Sequence, residues 1–131
     1  MIDHLSSYAT DFPATRAFYE SALAALGHAL QVELTFDSDP DLPGRRACAF
    51  GPAGRSIFWV IEVSEPASPR HIAFTATDRA AVRAFHQAGL AAGGSDHGAP
   101  GLRPIYHEHY YGSFLTDPDG NNVEAVCHKP E

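Results

Sequence analysis

The feature that most constrains this chain is an internal repeat. The stretch His4 to Gly27, HLSSYATDFPATRAFYESALAALG, returns 67 positions later as His71 to Gly94, HIAFTATDRAAVRAFHQAGLAAGG, with 12 of 24 positions identical. Alanine richness accounts for some of these matches but not for the coincidence of His, Asp, Arg and Phe. The chain therefore reads as two fused copies of one supersecondary unit, and what one copy forms the other must also form.

Each copy opens with a short β-leaning run, Ile2 to Ala9 and Arg70 to Thr77, followed by an aspartate where a helix N-cap belongs. Behind Asp11 and Asp78 the helical stripe is expected at Ala14, Ala17, Phe18, Leu23 and Leu26, and at Val82, Phe85 and Leu90. Gly27 and the Gly93-Gly94 pair end the helices. Strands are then expected over His28 to Phe36, Arg46 to Phe50 and Ser56 to Val63, with a loop from Asp37 to Gly44 and a tight turn at Gly51 to Gly54. In the second copy Tyr110 to Thr116 and Asn121 to His128 read as strands joined by the turn Asp117-Pro118-Asp119-Gly120. The Gly- and Pro-rich segment Gly93 to His109 reads as a long connection with room for one short strand. The expected class is α+β: a single domain over residues 1–131, with one βαβββ module at about 1–65 and another at about 69–131.

Composition removes several function classes. The chain has 44% hydrophobic residues, enough for a packed core, and no apolar run of the roughly 18 residues a membrane span needs. Its 9 basic and 16 acidic residues give a net charge of -7, and the arginines are scattered, so nucleic acid is not an expected partner. Two distant cysteines, Cys48 and Cys127, make neither a disulfide framework nor a cysteine zinc site and are expected to be reduced and buried. With no basic, apolar leader at its start, the chain is expected to be cytoplasmic.

Eight histidines carry more information. The repeat places His4 and His71 at one matched site in the two first strands, which raises both as metal ligands, since imidazole is a common donor. Glu124 lies in the apolar run Asn122-Val123-Glu124-Ala125-Val126; it must be either turned to solvent or paired inside, and alternation alone leaves both open. The segment Tyr106-His107-Glu108-His109-Tyr110-Tyr111 supplies further groups that move protons or, alternatively, pack at the rim. His28, His86 and His97 are expected on exposed helix or loop positions. Calcium at Asp117, Asp119 and Asn121 fails, because the sixth and twelfth loop positions hold Asn122 and His128 instead of Gly and Glu.

Taken together, Ile2-Asp3-His4, the Arg16-Ala17-Phe18-Tyr19 segment, His71-Ile72-Ala73-Phe74 and the closing Asp117-Pro118-Asp119-Gly120-Asn121-Asn122-Val123-Glu124 resemble the vicinal oxygen chelate superfamily, which holds glyoxalase I, the fosfomycin- and bleomycin-resistance proteins and the extradiol dioxygenases. The resemblance covers nearly the whole chain. It implies two tandem βαβββ modules forming a half-open, eight-stranded barrel-like sheet, and a homodimer. It also implies a divalent metal (iron, manganese, zinc or nickel) held by His4, His71 and Glu124, with open positions for the neighbouring oxygens of a small-molecule substrate. His107, Tyr110 and Tyr111 are then the expected proton-handling residues. For a fourth ligand, superposing the last strands of the two modules offers Trp59, or Glu62 after a three-residue shift; the apolar alignment favours Trp59.

Where glyoxalase I has an arginine after its first histidine this chain has Tyr8, which argues against a glutathione thioester, and no basic cluster suits a phosphonate. The expected activity is that of a metal-dependent lyase, isomerase or dioxygenase. The alternative is a metal-free drug-binding protein of the bleomycin-resistance type, stacking a planar ligand on Phe58, Trp59, Tyr110 and Tyr111.

Overall fold

Both capping aspartates do what the repeat predicts. Asp11 accepts the Ala14 N–H at 3.1 Å and starts α1 (Phe12–Ala24); Asp78 accepts the Ala81 N–H at 2.8 Å and starts α2 (Arg79–Ala91). The structure, a computed structural model, describes the whole chain apart from residues 38, 39 and 41. The expected loop from Asp37 to Gly44 therefore lies partly outside the described residues.

The strands are β1 (Leu5–Ala9), β2 (Ala29–Phe36), β3 (Arg45–Gly51) and β4 (Phe58–Glu62) in the first copy. The second copy has β5 (His71–Thr75), β6 (Ser95–Leu102), β7 (Tyr111–Thr116) and β8 (Asn122–Cys127). They form two four-stranded sheets of matching order, β1-β4-β3-β2 and β5-β8-β7-β6, with β1–β4 and β5–β8 parallel and the remaining pairs antiparallel. The fold is thus α+β with two βαβββ units, its eight strands divided between two sheets that are not closed into a barrel. Among the described residues no helix is long and apolar enough to cross a membrane.

One core joins both copies. Phe18, Tyr19, Leu23, Phe50, Phe58, Phe85 and Leu115 are fully buried within it, each large apolar side chain contributing about 1.5–3 kcal/mol by leaving water. Polar contacts from the turn before β8 tie the copies further. Tyr19 donates its hydroxyl to Asp117 at 2.5 Å, and Thr10 donates its N–H and hydroxyl to Asp119. Burial first, then the Asp117 charge, pushes the Tyr19 phenol well above its ordinary range.

Four expectations need correction. The first strand begins at Leu5, where the ladder opens with Leu5 N–H to the Ile57 carbonyl at 2.9 Å; His4 stands just before it, its ring held by exposed Asp3. The buried stripe of α1 runs through Phe12, Thr15, Phe18, Tyr19, Ala22 and Leu23, while Ala17 is exposed, because the large aromatic rings claim the interior over the alanines; in α2 Leu90 is likewise largely exposed. His86 is buried, with Nε2 at 2.8 Å from Asp96, and His28 packs beside Phe74, where burial lowers its pKa. The Gly93 to His109 segment holds the eight-residue β6, which accommodates its glycines and proline by being an edge strand with register breaks at Gly98 and Gly101. His97 lies exposed on that strand.

Candidate functional site

Glu124 sits in the middle of β8 with only 2% of its surface exposed. Its flanking residues Val123 and Ala125 face the helices and are fully buried, so Glu124 points to the opposite face of the sheet. The solvent reading of the alternation therefore fails: both faces of β8 are covered. In register, Glu124 pairs with Ala73 of β5 and Phe114 of β7, and all three share that outer face. His71, two residues before Ala73, shares it too, and places Nε2 3.1 Å from Glu124 Oε1. The His71 ring stacks on Phe114 at 6.3 Å.

The second carboxylate oxygen is taken by Tyr110, whose hydroxyl donates to Oε2. Tyr110 precedes β7 and reaches across because Gly112 lies between: a Cβ there would stand 3.2 Å from Tyr110 Cε1 and 3.3 Å from Glu124 Oε2. Burial, then the hydrogen bond and charge of Glu124, raise the Tyr110 phenol above its ordinary range. It is therefore a held donor at neutral pH. A buried carboxylate is costly unless its oxygens are met; Tyr110 hydrogen-bonds one, and the His71 imidazole stands 3.1 Å from the other.

Tyr110's neighbours divide sharply. Tyr111 turns to the helix side, under the guanidinium groups of Arg79 and Arg83, and is not brought to Glu124. His107 is exposed and does not contact the carboxylate, but its ring lies edge-on to Tyr110 at 5.6 Å. Its Nδ1 accepts the His109 N–H at 3.1 Å, so in the neutral ring the proton sits on Nε2, which donates to His128 Nδ1 at 2.8 Å. His128, at the exposed end of the last strand, thus pins the 103–110 turn against β8, whereas Cys127 is fully buried.

His4 is not gathered with this group. It lines a crevice of about 340 Å³ that also includes Ile57, Ile72 and Ala73, and its Nδ1 is engaged by Asp3 at 2.7 Å. Among the described residues no three His, Cys, Asp or Glu side chains stand close enough to hold a metal together. Trp59 occupies the first copy's equivalent of the Glu124 position: Ser6 pairs with Trp59 as Ala73, 67 residues on, pairs with Glu124. Glu62 belongs to another contact, bonded through both oxygens to Arg46, whose hydrogen bonds lower its pKa. Phe58, expected in a stacking platform, is buried against Tyr19 and Phe74 and borders the same crevice as His4.

The donor chemistry suits a divalent metal at His71 and Glu124. An imidazole nitrogen and a carboxylate oxygen 3.1 Å apart have the separation expected of two donors each about 2.0–2.2 Å from one ion. The Asp3 contact on His4 engages Nδ1 alone and leaves Nε2 as the nitrogen that would join them.

The model of the Glyoxalase/Bleomycin resistance protein/Dioxygenase superfamily matches residues 1–125. Among solved structures, a glyoxalase/bleomycin resistance protein from Albidiferax ferrireducens T118 is 24% identical, with a TM-score of 0.71 over 97% of this chain and 98% of that one. A glyoxalase/bleomycin resistance protein/dioxygenase family enzyme from Burkholderia phytofirmans PsJN is 20% identical, with a TM-score of 0.66 over 98% of each chain. The E144Q mutant of glyoxalase I from Zea mays is 19% identical, with a TM-score of 0.71 over 95% of this chain but 46% of that one. No curated protein matches the sequence.

Proposed function

Since the chain belongs to the Glyoxalase/Bleomycin resistance protein/Dioxygenase superfamily, we propose that it is a metal-dependent enzyme acting on a small molecule with two neighbouring oxygens. The carrying observation is Glu124, a carboxylate 2% exposed on the outer face of its sheet, with His71 on one oxygen and Tyr110 on the other. His71 and Glu124 would be the first two residues to hold the metal and His4 the third. When bound, the metal would supply Lewis-acid stabilisation for negative charge on the substrate oxygens.

The chain's own groups do the rest. Tyr110, whose hydroxyl donates to Glu124 Oε2, stands where it can donate a hydrogen bond toward an oxyanion developing beside that carboxylate. His107 and His128 hold the Tyr110 ring from its edge, so His107 acts by positioning. Trp59 closes the matched slot in the first copy and leaves a three-ligand site. The reaction is of the lyase, isomerase or dioxygenase kind. The working form is a cytoplasmic homodimer.

The test is elemental mass spectrometry of untagged protein purified without chelator, beside His4→Ala, His71→Ala and Glu124→Gln. Near-stoichiometric iron, manganese, zinc or nickel, lost in the variants, is expected. A folded protein that stays empty after incubation with each metal would refute the enzyme reading and favour metal-free ligand binding.

A further inference from the structure

The outer face that carries Glu124 also carries a cation. Arg103 N–H bonds the Tyr110 carbonyl at 2.7 Å, extending the β6–β7 ladder by one pair and placing Arg103 beside Tyr110. Its guanidinium lies over the Phe114 ring, 5.5 Å from the centroid, and His71 stacks on the same ring. Arg103 and His71 thus both stand against the Phe114 ring, and Glu124 lies beside His71.

This arginine is seated in a built position. Nη2 donates to the Ala99 carbonyl at 2.6 Å and Nη1 to the Leu102 carbonyl at 3.4 Å. A Cβ on Gly101 would stand 3.1 Å from Nη1, and one on Gly98 would stand 3.4 Å from Nη2 and 2.8 Å from Phe114 Cδ2. Both register breaks of β6 fall at these two glycines, so the strand's irregularity makes room for the guanidinium. Among the described residues no carboxylate pairs with it, although the chain carries a net charge of -7. Two carbonyl bonds leave most of its five N–H donors free, and a planar fork of this kind matches a carboxylate.

We infer that Arg103 is the substrate's anion-binding residue: the substrate is a small carboxylate whose acid group docks on this guanidinium while its paired oxygens lie at His71 and Glu124, with the spacer passing Phe114. The docking geometry rests on the reading that His71 and Glu124 meet the substrate. It makes Arg103 a determinant of specificity, selecting acids over their neutral analogues.

Two measurements test it. In the first, phenylacetate is titrated into the whole protein while the Arg103 Nε–H signal, assigned by its loss in Arg103→Gln, is followed by nuclear magnetic resonance. A saturable shift is expected with phenylacetate and none with phenylacetamide, and the shift persists in Glu124→Gln. In the second, 3,4-dihydroxyphenylacetate is compared with its methyl ester by calorimetry. The acid should bind about tenfold or more tightly, and Arg103→Gln should erase that preference while leaving the ester's affinity alone. A motionless Arg103 signal, an equal response to the amide, or an acid preference that survives Arg103→Gln overturns the inference. If phenylacetate moves Arg103 but no dihydroxy compound binds, the vicinal-oxygen reading falls and the anion site stands.

Discussion

Changing Tyr110 to Phe isolates one hydroxyl. The ring keeps its packing against Tyr106 at 4.7 Å, His107 at 5.6 Å and His128 at 5.3 Å, so the loss is confined to the donor on Glu124 Oε2. Glu124 is 2% exposed and keeps only His71 on its other oxygen. A hydrogen bond to a charged acceptor is worth about 1.5–3 kcal/mol, and because Tyr110 is itself half-buried the lower half of that range applies. Tyr110→Phe should therefore destabilise the fold by about 1.5–2 kcal/mol. Glu124→Leu removes the buried carboxylate together with its desolvation cost, leaving the half-buried Tyr110 hydroxyl and the exposed His71 ring without that partner. In that background Tyr110→Phe should cost almost nothing, giving a coupling of about 1.5–2 kcal/mol in the double-mutant cycle. Urea unfolding of the four proteins reads it, with unchanged m-values as the check on two-state behaviour. Tyr111→Phe, on the helix side under Arg79 and Arg83, is the control and should show no coupling to Glu124. A Tyr110–Glu124 coupling below about 0.5 kcal/mol would refute the claim that this hydroxyl satisfies the carboxylate.

Two further outcomes follow from groups away from the site. Burial pushes the Cys48 thiol up to about 12, so at pH 8 a thiol reagent should label it roughly a thousandfold more slowly than a free cysteine and react fully only in urea; stoichiometric labelling of the native protein within minutes would contradict this. The Arg46 hydrogen bonds hold the Glu62 carboxyl below its ordinary range, so the pair's stabilisation is present above the unfolded value and is lost as pH falls through the folded one. Glu62→Gln should cost about 1 kcal/mol or less at pH 7 and nothing near pH 2, measured as a urea midpoint gap that closes in acid; a gap that widens in acid has the sign wrong.

The repeat made the architecture legible because it fixes register as well as order. Asp11 and Asp78 cap their helices as expected, and the Trp59 alignment holds residue for residue in the β1–β4 and β5–β8 ladders. What the sequence concealed depends on partners distant along the chain. His86 is interior because Asp96 lies ten residues on, across a turn, and Tyr19 is interior because Asp117 comes from the other copy. Alternation could not place Glu124, since that pattern assumes one wet face, whereas here the helices cover one face and His71 and Tyr110 cover the carboxylate on the other. Arg103 was invisible for a related reason. A count of nine scattered basic residues describes net charge, not a single guanidinium seated over Phe114 by two glycines. The spacing of Tyr110, Gly112 and Phe114 was the available signal, because alternate residues of one strand share a face.

The same register explains why the two copies hold different chemistry at matched positions. A carboxylate stays buried only where donors reach both of its oxygens. At position 124 the neighbours are Ala73, Phe114 and Gly112, whose small or flat side chains let His71 and Tyr110 converge. At position 59 the register neighbours are Ser6 and Ala49, and the matched histidine, His4, is turned to Asp3 ahead of the strand. A glutamate there would find one hydroxyl where Glu124 finds an imidazole and a phenol. Trp59 needs no such partners and covers its neighbours with apolar surface instead. One copy thus carries the hydrogen-bonding chemistry and the other an apolar wall, a division that follows from which slot has donors within reach.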